Sequence, residues 1–320
     1  MGSSRNLGQT TLKKRVSLSG IGVHGGKPVQ IALCPAGAGS GVTFLRTDLP
    51  NATDFEIPAR SHAVGATELC TMLGDPAGIS VATVEHLLAA LSGLGIDNVL
   101  VEIDGPEVPV MDGSAAAFVD AIDRAGILIQ KAPKRFITVI RPVRVELGSA
   151  FAEFRPYDGR RFELGIDYDC PVIGRQSFGF DLTPKRFRKA ISRARTFGYM
   201  RDVERLWAAG FALGSSLENS VVIGEGAIVN PEGLRYPDEF VRHKVLDAIG
   251  DLALADAPIR GLYRSHKGGH KLNALALNAL LADRRAWRMT SAPVERGSRA
   301  ESRADLASGI LAPAFAPEVL

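Results

Sequence analysis

In the stretch DEFVRHKVLDAIGDL, residues 238–252, His243, Asp247 and Asp251 recur at four-residue spacing with Lys244 beside them. Val241, Val245, Leu246, Ala248, Ile249 and Leu252 repeat with the 3.6-residue period, which predicts an amphipathic helix with Asp238 as a plausible N-cap. At roughly 100° per residue, the three polar residues fall within about 80° of one another, opposite the apolar face. Two kinds of chemistry fit such a stripe. It is a solvated surface with local ion pairs, or it is half of a metal site. His and Asp one helical turn apart present two ligands to one ion, by the spacing logic of H-E-x-x-H.

The chain has only six histidines: His24, His62, His86, His243, His266 and His270. A catalytic zinc takes three protein ligands and keeps its fourth position for water, so one further His completes a site, and His86 is the natural candidate. Glu85 precedes it in the apolar run VEHLLAAL, where a carboxylate is costly to bury. It reads as a general base toward water at the ion, or as a favourable charge in a helix's first turn. His270 opens a helix after SHKGG, where backbone N–H groups and Lys267 favour anions. Its imidazolium is a proton donor for a leaving amine, with Asp251 placed to hold it charged. The alternative for Asp251 is an ordinary surface ion pair.

These residues need elements to carry them. Residues 14–60 read as short strands broken by Gly and Pro. A helix follows at 83–95 with Thr83 as its possible N-cap, then a buried strand at 98–103 and a second helix at 113–126 ending at a glycine. QKAPKR (130–135) marks the expected boundary, giving an N-terminal α+β domain over 1–132 and a C-terminal one over 133–285. The plan then recurs, with strands in FITVIRPVRVEL and RFELGIDYD, the 238–252 helix, a strand at PIRGLYR, a KGG turn and the helix HKLNALALNALLAD. His86 lies seven residues before Gly93 and His243 seven before Gly250, as a duplication would give. Packing about a pseudo-twofold would bring the two histidine-bearing helices together, where pockets form. The region 193–224 has no counterpart in the first half and is expected to be an insertion, about 197–224. Its Phe197, Leu206, Trp207, Phe211 and Leu213 either complete a core, the commoner outcome, or wall a slot for an aliphatic ligand. The segment 286–320, rich in Arg, Ala, Ser and Pro, is expected to be a loosely ordered tail.

With 320 residues, 46% hydrophobic and 23% charged, the chain is long enough for two cores. A net charge of +3 without a dense Lys/Arg tract does not indicate nucleic acid, yet permits an anionic small molecule. Cys34, Cys70 and Cys170 are isolated and odd in number, against a disulfide framework and in favour of a reducing compartment. Absence of a secretory h-region or a membrane-length apolar run leads to an expected soluble, cytoplasmic monomer. A rival class is a nucleotide-sugar binding or phosphotransfer module whose turns GVHGGK and LGSSLEN cradle phosphates; no Walker A sequence accompanies them.

The segments GIGVHGGKPV, TVEHLLAALSGLGIDNVLVEIDGPEVPVMDGSA, ISRARTFGYMRD, EFVRHKVLDAIGDL and KGGHKLNALALNALL run from about residue 10 to about residue 283. On them the sequence closely resembles the UDP-3-O-acyl-N-acetylglucosamine deacetylases, zinc amidases committing Gram-negative bacteria to lipid A synthesis. The resemblance implies two similar α+β domains, each a sheet layered against helices with a small insertion, and a site between them. It implies one zinc per chain held by His86, His243 and Asp247, with iron able to replace it in the cell. It further implies Glu85 as base, His270 as acid oriented by Asp251, and Thr196 helping to hold the oxyanion. The substrate would be a UDP-sugar bearing an acyl chain and losing its N-acetyl group as acetate. Phe197 would lie beside the sugar, Lys244, Lys267 and His24 would meet the diphosphate, and Asp167 with Tyr168 the uridine. Three positions depart from the family pattern: Arg141 is the nearest base where a lysine is usual, Tyr168 replaces Phe, and Glu68 stands where an apolar residue is common.

Overall fold

The computed structural model describes residues 8–50 and 55–291. The first half contains β1 (Gly8–Leu12), β2 (Val16–Ile21), β3 (Pro28–Pro35), β4 (Val42–Arg46), β5 (Glu56–Pro58), β6 (Val64–Ala66), β7 (Met72–Gly74), β8 (Ser80–Val81), α1 (Glu85–Leu94), β9 (Val99–Ile103), α2 (Ala116–Ala125) and β10 (Ile127–Pro133). The second contains β11 (Arg135–Val139), β12 (Val143–Leu147), β13 (Ala150–Arg155), β14 (Arg160–Asp167), β15 (Arg175–Asp181), α3 (Pro184–Ala190), β16 (Phe197–Tyr199), α4 (Val203–Ala208), β17 (Val221–Ile223), α5 (Glu239–Leu252), β18 (Ile259–His266), α6 (His270–Ala282) and β19 (Trp287–Ser291).

Strand pairing repeats between the halves. In the first, β2, β3, β9, β4 and β5 lie side by side, antiparallel except for the parallel β9–β4 pair. In the second, β12, β13, β18, β14 and β15 do the same, with β18–β14 parallel. Each half closes with its first strand antiparallel to its last, β1 with β10 and β11 with β19. A helix–strand–helix unit sits at the same place in both, α1–β9–α2 and α5–β18–α6. The repeat inferred from histidine–glycine spacing is therefore a repeat of topology, and the architecture is α+β. Each half has one insertion between its fifth strand and its first helix of that unit: the β6–β8 sheet in one, the α3–β17 segment in the other.

Where α1 and α5 pack together, the halves share one continuous core. α1 supplies Leu87, Leu88 and Leu91, and α5 supplies Val245, Leu246 and Ile249, all essentially inaccessible to water. At about 1.5–3 kcal/mol per buried side chain, such a core can carry polar groups in its midst. Gly250 allows the approach: a Cβ there would lie 2.8 Å from the backbone carbon of Glu85, inside van der Waals contact.

Several expectations change. Thr83 does not cap α1; it sits at φ +58° with its hydroxyl on Glu107, and α1 begins two residues later without a side-chain cap. Asp238 precedes α5 without capping it, because its carboxylate accepts from Arg242 Nε instead, at 2.5 Å. FITVIRPVRVEL is two strands, since Pro142 interrupts the ladder between β11 and β12. The expected tail begins too early: residues 287–291 form β19, paired with β11, and 292–320 lie outside the described residues. The insertion is core only in part: Val221 and Ile223 lie in the shared core and Phe197 packs against it, while Trp207 is 52% and Leu213 53% exposed.

Candidate metal centre and active site

The polar stripe of α5 is not a solvated face. His243, Asp247 and Asp251 are each 2% exposed, because α1 lies across them. His86, from the first turn of α1, meets His243 edge-on with ring centroids 5.0 Å apart. His243 Nε2 lies 3.3 Å and His86 Nε2 3.7 Å from Asp247 Oδ1, and one ligand atom from each residue falls within 4.8 Å of the others. Ligands at 2.0–2.1 Å around a tetrahedral zinc stand about 3.3 Å apart.

The donor set fits a cation. His243 Nδ1 is 3.0 Å from the Ala194 carbonyl oxygen, which can only accept, so Nδ1 carries the hydrogen and Nε2 presents a lone pair. That lone pair faces Asp247 Oδ1, itself buried without a hydrogen-bond partner. Two electron-rich atoms held together in a buried place repel unless a positive ion joins them. Burial keeps both imidazoles neutral, as metal ligands must be: it pushes His86 down to about 3, with His243 adding to the effect, and it lowers His243 despite the opposing charge of Asp247. Burial would raise Asp247, but His243, Lys244, His270 and His86 hold it below the usual carboxylate range. The Lys244 ammonium, 2.8 Å from Oδ2, occupies the carboxylate's other oxygen and leaves Oδ1 free.

Glu85 and His270 flank this cluster. Glu85 is 3% exposed; burial raises its carboxyl to about 7 against the opposing effect of His270, with Asp251 and Asp247 adding to the rise. Its Oε2 accepts the Thr71 backbone N–H at 3.0 Å, and its Oε1 lies 3.9 Å from His270 Nε2. Burial alone would lower His270, but Asp251, with Nδ1 to Oδ2 at 2.9 Å, outweighs it and the imidazole rises to about 9. A near-neutral carboxyl and a charged imidazole thus stand on either side of one small space, as general base and general acid require.

Asp251 is itself held. Its Oδ1 accepts from the Thr71 hydroxyl at 2.6 Å, and its Oδ2 from Asn273 Nδ2 at 2.7 Å. Asn273 in turn accepts from Tyr263 at 2.6 Å. Sequence reading missed Thr71, Asn273 and Tyr263, and none carries a spacing signal, since Thr71 and Asp251 are 180 residues apart. It also missed the buried pair Arg195–Glu239, Nε to Oε1 3.0 Å, which ties the segment carrying Ala194 and Thr196 to the first turn of α5.

The remaining candidates spread outward. Thr196 is fixed by its backbone between Gly113 and Val221, both bonds 2.8 Å. Phe197 packs edge-on against Phe240 at 4.9 Å and Tyr168 at 5.8 Å, with the Lys244 ammonium 5.6 Å from its ring centre. Asp167 pairs with Lys267 at 3.1 Å and Arg175 at 3.3 Å. His24, near enough to His270 to feel its charge, packs its ring edge-on against Phe211 at 5.5 Å. Arg141 and Glu68 are exposed and bring nothing to this cluster, and the three cysteines are free. A cavity of about 270 Å³ lies elsewhere, lined by Leu91, Ser92 and Arg160 near the C-terminal ends of α1 and α5, and holds none of these groups. Among the described residues, no helix is long and apolar enough to cross a membrane.

Comparison with known proteins bears on what this arrangement does. Residues 9–282 match the family model for UDP-3-O-acyl N-acetylglycosamine deacetylase. The chain is 54% identical over 288 residues to the UDP-3-O-acyl-N-acetylglucosamine deacetylases of Brucella ovis and Brucella canis, covering 90% of this chain and 100% of each relative. The protein of that name from Brucella melitensis is 53% identical over the same extent.

Proposed function

The chain belongs to the UDP-3-O-acyl N-acetylglycosamine deacetylase family, and from that premise we propose that it hydrolyses the N-acetyl group of a UDP-3-O-(3-hydroxyacyl)-N-acetylglucosamine. The products are acetate and the free amine, in the committed step of lipid A synthesis. His86, His243 and Asp247 would hold one divalent ion, zinc by their mixed N,O chemistry, with ferrous iron an acceptable replacement. When bound, such an ion acidifies water and polarises a carbonyl.

The protein's own groups do the rest. Glu85 takes a proton from the attacking water as the carbon–oxygen bond forms at the acetamide carbonyl. Thr196 donates to the oxyanion from the other side. His270, kept charged by Asp251, gives its proton to the nitrogen as the carbon–nitrogen bond breaks. Lys244 and Lys267 supply positive charge and His24 a hydrogen bond for the diphosphate, Asp167 and Tyr168 supply hydrogen bonds and stacking for the uridine, and Phe197 a wall beside the sugar. The exposed Trp207 and Leu213 of the insertion, with Phe211, would line the path of the acyl chain. The division at about residue 132, a cytoplasmic location and a monomeric state belong to the same proposal; the repeated strand order supports the first.

One observation carries it: an unpartnered buried carboxylate oxygen faced by two neutral imidazoles, with an acid and a base 3.9 Å apart beside it. The test is metal analysis of protein purified without oxygen, together with acetate release from the acylated UDP-sugar. About one zinc or iron per chain and chelator-sensitive release are expected. Metal-free protein with undiminished release, or ATP turnover in its place, would refute the reading.

A further inference from the structure

Glu107 lies between β9 and α2, 7% exposed, outside every group given a role so far. Its carboxyl accepts three hydrogen bonds from two segments distant in sequence. Oε1 takes the His24 backbone N–H at 2.9 Å and the Thr83 hydroxyl at 3.0 Å; Oε2 takes the Gly25 backbone N–H at 2.8 Å. His24 and Gly25 form the turn between β2 and β3, while Thr83 stands two residues before Glu85. The main chain around Glu107 is fastened too, since Ala82 donates to the Pro106 carbonyl at 2.8 Å and accepts from Val108 at 3.0 Å.

The turn is built around this side chain. A Cβ at Gly22 would lie 2.9 Å from the Glu107 carboxyl carbon, so any side chain there would displace the carboxyl from its three donors. Beyond the turn, the His24 and Val23 carbonyls accept from Leu213 and Gly214 of the insertion, at 3.1 and 3.0 Å. Glu107 therefore joins three parts: the segment that starts the Glu85–His86 helix, the His24 turn, and through that turn the insertion.

We propose that Glu107 is a positioning residue that sets where His24 meets the substrate's diphosphate relative to the reacting groups. This rests on the reading of His24 as a diphosphate contact. A carboxyl group suits the task because its two oxygens receive two consecutive backbone N–H groups. An amide has one oxygen only, and turns its own N–H toward the other donor. Glu107→Gln therefore keeps the shape and breaks one contact. Glu107→Asp keeps the charge and withdraws it by one methylene.

The experiment compares wild type, E107Q, E107D, H24A and H24A/E107Q in steady-state kinetics with the acylated UDP-sugar and in calorimetric binding of UDP alone. Thermal melts and metal content verify that each variant is folded and loaded, with E107D carrying the test if E107Q does not fold. Losing one hydrogen bond should raise KM and the UDP Kd by about three- to tenfold, with kcat within about twofold. H24A should raise both constants, and adding E107Q to it should change them by less than about twofold, because both act through one contact. The inference is overturned if Glu107 variants lower only Tm or kcat, or if their effect on KM multiplies fully onto H24A. A wild-type KM and UDP affinity in H24A would instead remove His24 as a substrate contact, and this route with it.

Discussion

Asp251→Asn offers the sharpest test of how His270 works. The substitution is mild in shape: the amide oxygen can replace Oδ2, accepting from His270 Nδ1 and Asn273, while the amide N–H₂ can donate to the Thr71 hydroxyl. What disappears is the negative charge 2.9 Å from the imidazole. In the wild type, that charge, helped by Glu85 and Asp247, overcomes burial and lifts His270 to about 9 from an ordinary 6.5. The difference corresponds to about 3 kcal/mol of preference for the charged form. Suppose the variant's imidazole returns only to its ordinary value.

At pH 7.5 the protonated fraction then drops from about 0.97 to about 0.09, and kcat/KM should drop about tenfold. Burial, then opposed only by Glu85 and Asp247, sets how far beyond tenfold the loss goes, up to about 100-fold. The sign follows from the role of His270 as acid: its active form is the protonated one, abundant below its pKa and lost above it. The ratio of wild type to variant should therefore be about 1.3 at pH 6, about 10 at pH 7.5 and above about 100 at pH 9. The assay is acetate release at low substrate concentration across that range. A ratio that stays constant with pH would refute the claim that Asp251 acts by keeping His270 charged.

Glu85→Gln should lower kcat by about 10²- to 10⁴-fold while metal content stays at wild-type level; undiminished turnover would exclude Glu85 as the base. Burial lifts Glu85 to about 7 and a bound dication opposes this, so the acidic limb of the wild-type kcat/KM profile should fall at or below about pH 7. A profile flat from pH 5 to 10 would contradict the pairing of acid and base. Gly250→Ala forces a methyl against the Glu85 backbone, at a cost of about 1–3 kcal/mol that alanine's better helix propensity offsets only in part. A Tm equal to or above wild type would show that α1 can yield. Leu213→Ala and Trp207→Ala should each cut the preference for long over short acyl chains by about 5- to 30-fold in kcat/KM; unchanged ratios in both would detach the insertion from the acyl chain.

What the sequence disclosed follows from range. The 238–252 and 270–282 helices are written locally in their apolar period, and the duplication in the matching positions of His86–Gly93 and His243–Gly250. The burial of the His243–Asp247–Asp251 stripe is not local, because α1 covers it from about 150 residues away, and a polar face on an amphipathic helix otherwise predicts solvent. Thr71 shows the limit most clearly. Its backbone N–H holds the base and its hydroxyl the acid's partner, yet nothing in ATELCTML announces either bond. Thr83 misleads for a related reason: as the last hydroxyl before an apolar helix it looks like a cap, but Glu107 competes for it and wins. The apolar insertion joins the core only through Phe197, Val221 and Ile223; the short α4 leaves Trp207 in solvent, as the loop beyond it leaves Leu213.

The repeat also explains why the site lies where it does. Each half on its own would carry an unfinished polar set: His86 and Glu85 on α1, or His243, Asp247, Asp251 and His270 on the other side. Left in water, Glu85 would keep an ordinary carboxylate pKa and would be too weak a base near neutrality. Packing α1 onto α5 removes water from both sets at once, and the same desolvation that raises Glu85 also keeps His86 neutral. A cluster with two neutral imidazoles, an ionised Asp247 and a charged His270 is stable only because Lys244, Thr71, Asn273 and the Ala194 carbonyl satisfy its remaining donors and acceptors. Asp247 Oδ1 and His86 Nδ1 are the atoms left over. In this fold, assembling the interface and creating the demand for a cation are the same event.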